Sequence, residues 1–233
     1  MKLVKITKSE NLAHKRVYED ACATAHALDL LGERWAILVI RELLLGPKRF
    51  GDLRADLPGI SANVLTQRLE GLEASGIVKR RKLPPPANIQ VYELTDWGYE
   101  SEPIFQAMGR WAARSPSHDP TLPFGTVSLV LSMRTMFDPA RAEGCDLTVG
   151  LKLPNDGFMV RVMNGAIEVE RGDPAGAGTL LTGTAQVFAA AFYGGVPLAD
   201  LEAGGALKLD GDREAAERLV SLFPLPAKAP AAE

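Results

Sequence analysis

The 233-residue chain is long enough for two domains of about 100 residues each, and its 46% hydrophobic and 24% charged content excludes a wholly disordered protein. The strongest apolar runs, Ile37–Ile40 and Phe188–Tyr193, fall far short of the about 20 residues of a membrane span, and Met1–Asp20 carries no apolar signal segment. A cytoplasmic protein with no membrane partner is expected. The net charge of -3 divides unevenly, with 17 basic against 14 acidic residues up to His118 and 9 against 15 after it, so a basic binding face in the first half is compatible with overall acidity. Only two cysteines occur, Cys22 and Cys145, with neither metal-ligand nor disulfide-framework spacing.

In chain order, Cys22–Leu31 and Trp35–Leu45 have helical apolar spacing, and Gly46-Pro47 ends the second. Phe50–Leu57 predicts a short helix stopped by Pro58-Gly59. Ser61 is a good N-cap for the next helix, which runs to Ser75-Gly76. Ile77–Lys82 and Ile89–Leu94 predict two strands joined by a proline-rich loop, and Thr95 caps a further helix reaching about Arg114. Short helices followed by a β-ribbon describe a mainly α, winged helix-turn-helix domain over residues 1–118. Three prolines in Ser115–Pro123 place a linker there, leaving 119–233 as a second domain.

On the helix after Ser61, at 100° per residue, Leu65, Leu69 and Leu72 share one face while Asn63, Gln67 and Glu70 share the opposite one. Amide side chains donate and accept together, matching the adenine edge in the major groove, so Asn63 and Gln67 are candidates for base contact, with Ser61 and Thr66 beside them. Arg68 lies nearer the apolar stripe and suits a phosphate. The first ribbon strand carries Lys79, Arg80, Arg81 and Lys82, and Lys48 and Arg49 add charge at the start of the motif. Each feature alone also describes a solvated helix face or a charged edge strand. Their order on a helix-turn-helix with a wing favours double-stranded DNA.

Cys22, Ala27–Gly32, Arg34-Trp35, Ile40–Leu43, Gly46–Phe50, Leu57–Ser61, Leu65–Leu69, Tyr92–Thr95 and Gly98 together resemble the HxlR family of bacterial winged-helix regulators. The resemblance implies a homodimer on a near-palindromic operator, repression being the expected sense. It also implies dimerisation through terminal helices of the domain, for which Ile104, Phe105, Met108, Trp111 and Ala112 offer an apolar stripe; contact with the protein's own core is the alternative. Some members sense oxidants through a cysteine where Cys22 stands, and a helix N-terminus favours thiolate, although a lone cysteine also serves as a small apolar residue. The family's usual lack of a long second domain favours ligand control here.

In the second half, Phe124–Met136 is apolar and fits helix or strand. Asp146–Leu153 alternates, with Leu147, Val149, Leu151 and Leu153 inward, and Asn164-Gly165 signals a hairpin pairing Val162 with Ile167 and Val160 with Val169. Thr184–Tyr193 and Asp212–Phe223 predict helices with an Ala206–Asp210 strand between them, so an α/β (α+β) sheet covered by helices is expected; Pro224–Glu233 is expected to be a frayed tail. The hairpin, Leu181–Thr184, Gly194-Gly195 and Gly205–Asp212 resemble the sterol-carrier-protein (SCP2) type of domain. That resemblance implies a tunnel for an apolar, lipid-like molecule, with Phe158, Val160, Val162, Phe188, Phe192 and Leu222 as candidate lining, although residues of this kind are more often plain core. No nucleophile elbow, zinc-protease helix, phosphate loop or dinucleotide fingerprint occurs, and His14, His26 and His118 lack companions. Neither an enzyme nor a metal or cofactor site is expected. A lipid carrier using the helical half for protein contacts is the alternative class of function.

Overall fold

A computed structural model describes residues 18–230; His14 and nearly all of the Met1–Asp20 segment discussed above lie outside the described residues. The first half holds α1 (Ala23–Leu31), α2 (Ala36–Leu43), α3 (Phe50–Asp56) and α4 (Ala62–Ala74). A two-stranded ribbon follows, β1 (Val78–Lys82) and β2 (Gln90–Leu94), then α5 (Asp96–Tyr99) and α6 (Glu102–Ala113). Ser61 accepts the Val64 N–H at 3.2 Å and Thr95 accepts the Gly98 N–H at 3.0 Å, so both expected caps form. The helix after Thr95 is nevertheless two helices, broken around Glu100-Ser101 before Pro103 takes the second turn position that tolerates it.

This half is a winged helix-turn-helix. Leu65, Leu69 and Leu72 of α4 pack with Val39, Ile40 and Leu43 of α2, Leu53 of α3, and Val78 and Leu94 of the ribbon. At the entrance to α2, Trp35 sits at φ 79°, a left-handed conformation unfavourable for a bulky side chain.

The second half opens with α7 (Thr126–Met136) and continues through β3 (Leu147–Lys152), β4 (Gly157–Met163), β5 (Ala166–Arg171), β6 (Thr179–Thr182), α8 (Ala185–Phe192), α9 (Leu198–Ala203), β7 (Lys208–Asp210) and α10 (Arg213–Val220). The sheet order is β5-β4-β3-β6-β7; β3 and β6 run parallel and the other neighbours antiparallel. Asn164 and Gly165 take φ 53° and 73°, the primed-turn geometry of a two-residue hairpin, and the pairs Val160↔Val169 and Val162↔Ile167 form as expected. Strand β6 and helix α9 escaped the sequence reading, because four residues beside a glycine and six residues after a proline carry too little periodicity.

Helix α7 settles the ambiguity of Phe124–Met136 in favour of helix. Val127 and Leu131 enter the core of the first half, while Leu129, Val130, Met133 and Met136 enter the core beneath the sheet. A helix enclosed on opposite sides shows no single apolar stripe, which is why its period was unreadable. Nor is the tail frayed through its described part: Ala229 N–H donates to the Arg114 carbonyl at 2.7 Å, and Lys228 Nζ donates to the carbonyls of Ala113 and Ser115 at 3.1 and 3.0 Å. The carbonyls of Ala113 and Arg114 stand at the end of α6, so the tail caps that helix.

Because both cores share α7, Leu131→Ala, a change outside the first half of the sequence, is expected to destabilise the whole protein by about 2–5 kcal/mol. All three tryptophans, Trp35, Trp97 and Trp111, lie before the linker, so a denaturant midpoint followed by tryptophan fluorescence checks this; an unshifted midpoint would show the halves to be uncoupled.

Candidate nucleic-acid interface

The cap at Ser61 and the buried leucines fix the rotation of α4, leaving Ser61, Asn63, Thr66, Gln67 and Glu70 exposed along one side. This face offers hydroxyls, two amides and one carboxylate, a set able to match adenine edges and the cytosine amino group. None of the described residues covers it.

Arg68 departs from expectation. Its Nε donates to the Arg34 carbonyl at 3.0 Å and its Nη2 meets Glu33 at 3.0 Å, so it ties α4 to the strained turn before Trp35 rather than projecting towards a phosphate. Lys48 is likewise corrected. Its Nζ lies 2.8 Å from Glu42 and 2.6 Å from Asp56, with 14% of the side chain exposed, and its backbone pairs with that of Tyr92. Glu42 is buried and also takes Arg41 at 2.7 Å, so these two cations compensate a carboxylate that would be costly alone. Lys48 therefore clamps α2, α3 and the ribbon together.

The basic run on β1 is less bare than its sequence. In the register Lys79↔Glu93, that carboxylate takes Arg81 at 2.7 Å and Lys79 at 3.2 Å, while Arg80 grips Glu73 of α4 at 2.6 Å. Hydrogen bonding from Arg81 holds the Glu93 carboxyl below the usual range, and hydrogen bonding from Arg80 does the same for Glu73. Both carboxylates are therefore charged at neutral pH, and these contacts weaken only as pH falls through the depressed values. The three cations remain about half exposed, so exchange of a carboxylate for a phosphate is geometrically open. Among the described residues Arg49, Arg54 and Lys82 are exposed cations without an ion-pair partner. Arg54 went unnoticed in the sequence because it is a single charge on a seven-residue helix; its exposure on the helix that precedes α4 is what recommends it.

On α6, Ile104, Met108 and Trp111 are 47, 45 and 78% exposed. They follow one another at helical spacing and form an apolar stripe open to solvent. Phe105 is a correction: it packs against the core of the first half, and Ala112 is exposed beside the stripe. Cys22 is exposed at the N-cap of α1. The sulfur completes no capping hydrogen bond, yet the nearby backbone N–H of Thr24, then that of Ala25, lowers its thiol pKa.

The six candidate tunnel residues take their alternative reading, plain core. Phe158, Val160, Val162, Phe188, Phe192 and Leu222 are at most 6% exposed and belong to one closed core, with Phe188 stacked on Phe192 at 6.1 Å. Open grooves lie elsewhere, one between α6 and the tail and another between α4 and the α1–α2 turn. Among the described residues no metal-ligand cluster occurs and no helix is long and apolar enough to cross a membrane.

Comparison with known proteins divides along the same line. The HxlR-like helix-turn-helix family matches residues 30–119, and the alkyl sulfatase C-terminal family matches residues 126–229. The uncharacterized HTH-type transcriptional regulator YvaP of Bacillus subtilis is 42% identical over 87 residues, which is 37% of this chain and 80% of that protein. The HTH-type transcriptional regulator YodB of the same organism is 42% identical over 86 residues, 37% of this chain and 77% of that protein. The crystal structure of quinone-bound YodB is 38% identical, covers 39% of this chain and 97% of that one, and superposes with a TM-score of 0.35.

Glu93→Gln releases both Lys79 and Arg81. Affinity for any duplex is expected to rise while the salt slope, about 0.9 per phosphate contacted, stays nearly the same, because both cations reach phosphates in either protein and only the cost of leaving Glu93 is removed. Fluorescence anisotropy over a salt series measures this; an unchanged affinity would remove both cations from the interface.

Proposed function

The chain belongs to the HxlR-like helix-turn-helix family, and on that premise we propose that it is a dimeric, DNA-binding transcription regulator, acting in the cytoplasm as a repressor rather than as an enzyme. Residues 1–118 bind operator and dimerise, and residues 119–233 form an effector domain. The observation carrying this reading is the exposed Ser61–Gln67 face of α4, held by a buried leucine stripe beside a ribbon of cations. Asn63 and Gln67 read bases with Ser61 and Thr66 beside them; Arg49, Arg54 and Lys82 hold phosphates, joined by Lys79, Arg80 and Arg81 once these exchange their carboxylate partners. The Ile104, Met108 and Trp111 stripe meets its symmetry mate.

Selecting duplexes from a random library with the full-length chain tests this. A near-palindromic consensus is expected. On the selected duplex, Gln67→Ala is expected to relax preference at one base pair and cost about 1–3 kcal/mol, whereas Lys82→Ala weakens binding to all sequences and lowers the salt slope by about one unit. Failure to enrich any sequence, or the same pattern of loss from both variants, would sink the assignment.

The effector for the second domain is an apolar molecule of alkyl character. Support comes from the alkyl sulfatase C-terminal match and from an apolar core between sheet and helices; the sterol-carrier likeness belongs to the same reading. Because that core is closed, binding must open it, and regulation follows if the opened form holds a different dimer geometry. Native mass spectrometry of protein taken directly from cells is expected to show a dimer with bound lipid-sized mass.

A second reading is thiol sensing through Cys22, favoured by its exposure and lowered pKa and by the quinone-bound state of the relative YodB. Release of the selected duplex on adding benzoquinone is expected to vanish in Cys22→Ser, and persistence of that release would exclude the role.

A further inference from the structure

Helix α6 carries the exposed stripe, yet the groups that hold its opposite side come from the second half of the chain. Arg134 of α7 spans three elements: Nη1 contacts both Glu102 carboxylate oxygens at 3.0 and 3.2 Å, and Nη2 donates to the Val169 carbonyl of β5 at 2.8 Å. Gln106, one turn further along α6, donates to the same Glu102 at 3.1 Å. One turn beyond that, Arg110 donates to the Thr135 carbonyl in the last turn of α7, where a cation also suits the helix dipole. At the end of α6 the tail closes the arrangement, with Arg114 Nε donating to the Ala227 carbonyl at 3.1 Å in addition to the Lys228 and Ala229 contacts. The start, the middle and the end of α6 are thus each fixed by residues after the linker.

These polar contacts are directional, unlike the apolar packing of α7. Guanidinium forks that bridge a helix, its neighbour and a sheet edge specify an angle as well as a contact. The bridge to Val169 extends that specification into the hairpin β4–β5, whose inner residues belong to the second core.

We propose that Arg134 and the Ala227–Ala229 clasp are positioning residues that set the pose of α6 from the second domain, and so set the separation of the two DNA-reading helices in the dimer. The proposal rests on the dimeric-regulator reading above. A change in the second core that moved α7 or β5 would reach α6 through Arg134, and one that moved the end of α10 would reach it through the tail. Two independent arms would then report the state of one domain to a helix of the other.

Spin labels at Ala87→Cys, in the exposed ribbon loop, report the distance across the dimer in a chain whose other cysteines are replaced (Cys22→Ser, Cys145→Ala). A narrow distribution is expected for this parent, broadened in Arg134→Gln and in Lys228→Ala with Ala229→Pro, and partly restored in Arg134→Lys, which keeps the charge towards Glu102. On the selected duplex the same two disruptions are expected to lose about tenfold in affinity while a duplex with one half-site scrambled changes by less than about twofold. Distributions left narrow in both variants, or a lowered melting temperature with no broadening, would overturn the proposal, as would a chain that stays monomeric. A dimer with the expected distances that selects no DNA would refute the regulator reading and leave the positioning role standing.

Discussion

The burial of α7 between two cores is the constraint on which the rest of the structure depends, because seven of its 11 residues have no solvent to face and each must satisfy one half of the protein or the other. Val127 and Leu131 take the side of the helix-turn-helix; Leu129, Val130, Met133 and Met136 take the side of the sheet. A loosely linked pair of domains would expose these side chains, at about 25 cal/mol for each Å² of apolar surface returned to water. The proline-rich segment before α7 is therefore a turn in the path of the chain more than a flexible tether. Everything fixed to α7, including α6 on one side and the hairpin of the sheet on the other, inherits its position.

Within that frame, charges do two kinds of work. Lys48 and Arg68 are consumed in holding the helix-turn-helix together, one against the buried Glu42 and the other against the turn that forces Trp35 into a left-handed conformation. Arg80, Arg81 and Lys79 are held by carboxylates at the surface, where ion pairs contribute little to stability and exchange readily. With three of its four cations paired, the ribbon attracts a polyanion less than its sequence suggests.

The second domain differs from a preformed binding pocket. Its aromatic residues Phe188, Phe192 and Phe223 pack on each other, and the sheet's inner face is sealed by α7, α8 and α10. A ligand entering such a core has to replace contacts of equal apolar character, so its binding energy comes with a rearrangement. That is the property a switch needs, since occupancy alters a dimer only when the two states bind the ligand unequally.

Local and periodic features were fully legible in the sequence: the Ser61, Thr95 and Asp212 caps, the leucine face of α4, the basic strand, and the Asn164-Gly165 hairpin with its register. Each depends on residues within one or two turns of helix or across one tight turn, so the order of side chains determines it. What tertiary structure decided was the use of groups whose partners lie far away in the chain. Arg68 meets the carbonyl of Arg34, Arg134 meets Glu102, and Lys228 reaches Ala113; the sequence offers these cations many carboxylates and carbonyls and no means of choosing among them. The helix α7 belongs to the same class, because a segment enclosed on opposite sides has no polar face to reveal its period, and only the two cores that close around it select the helix.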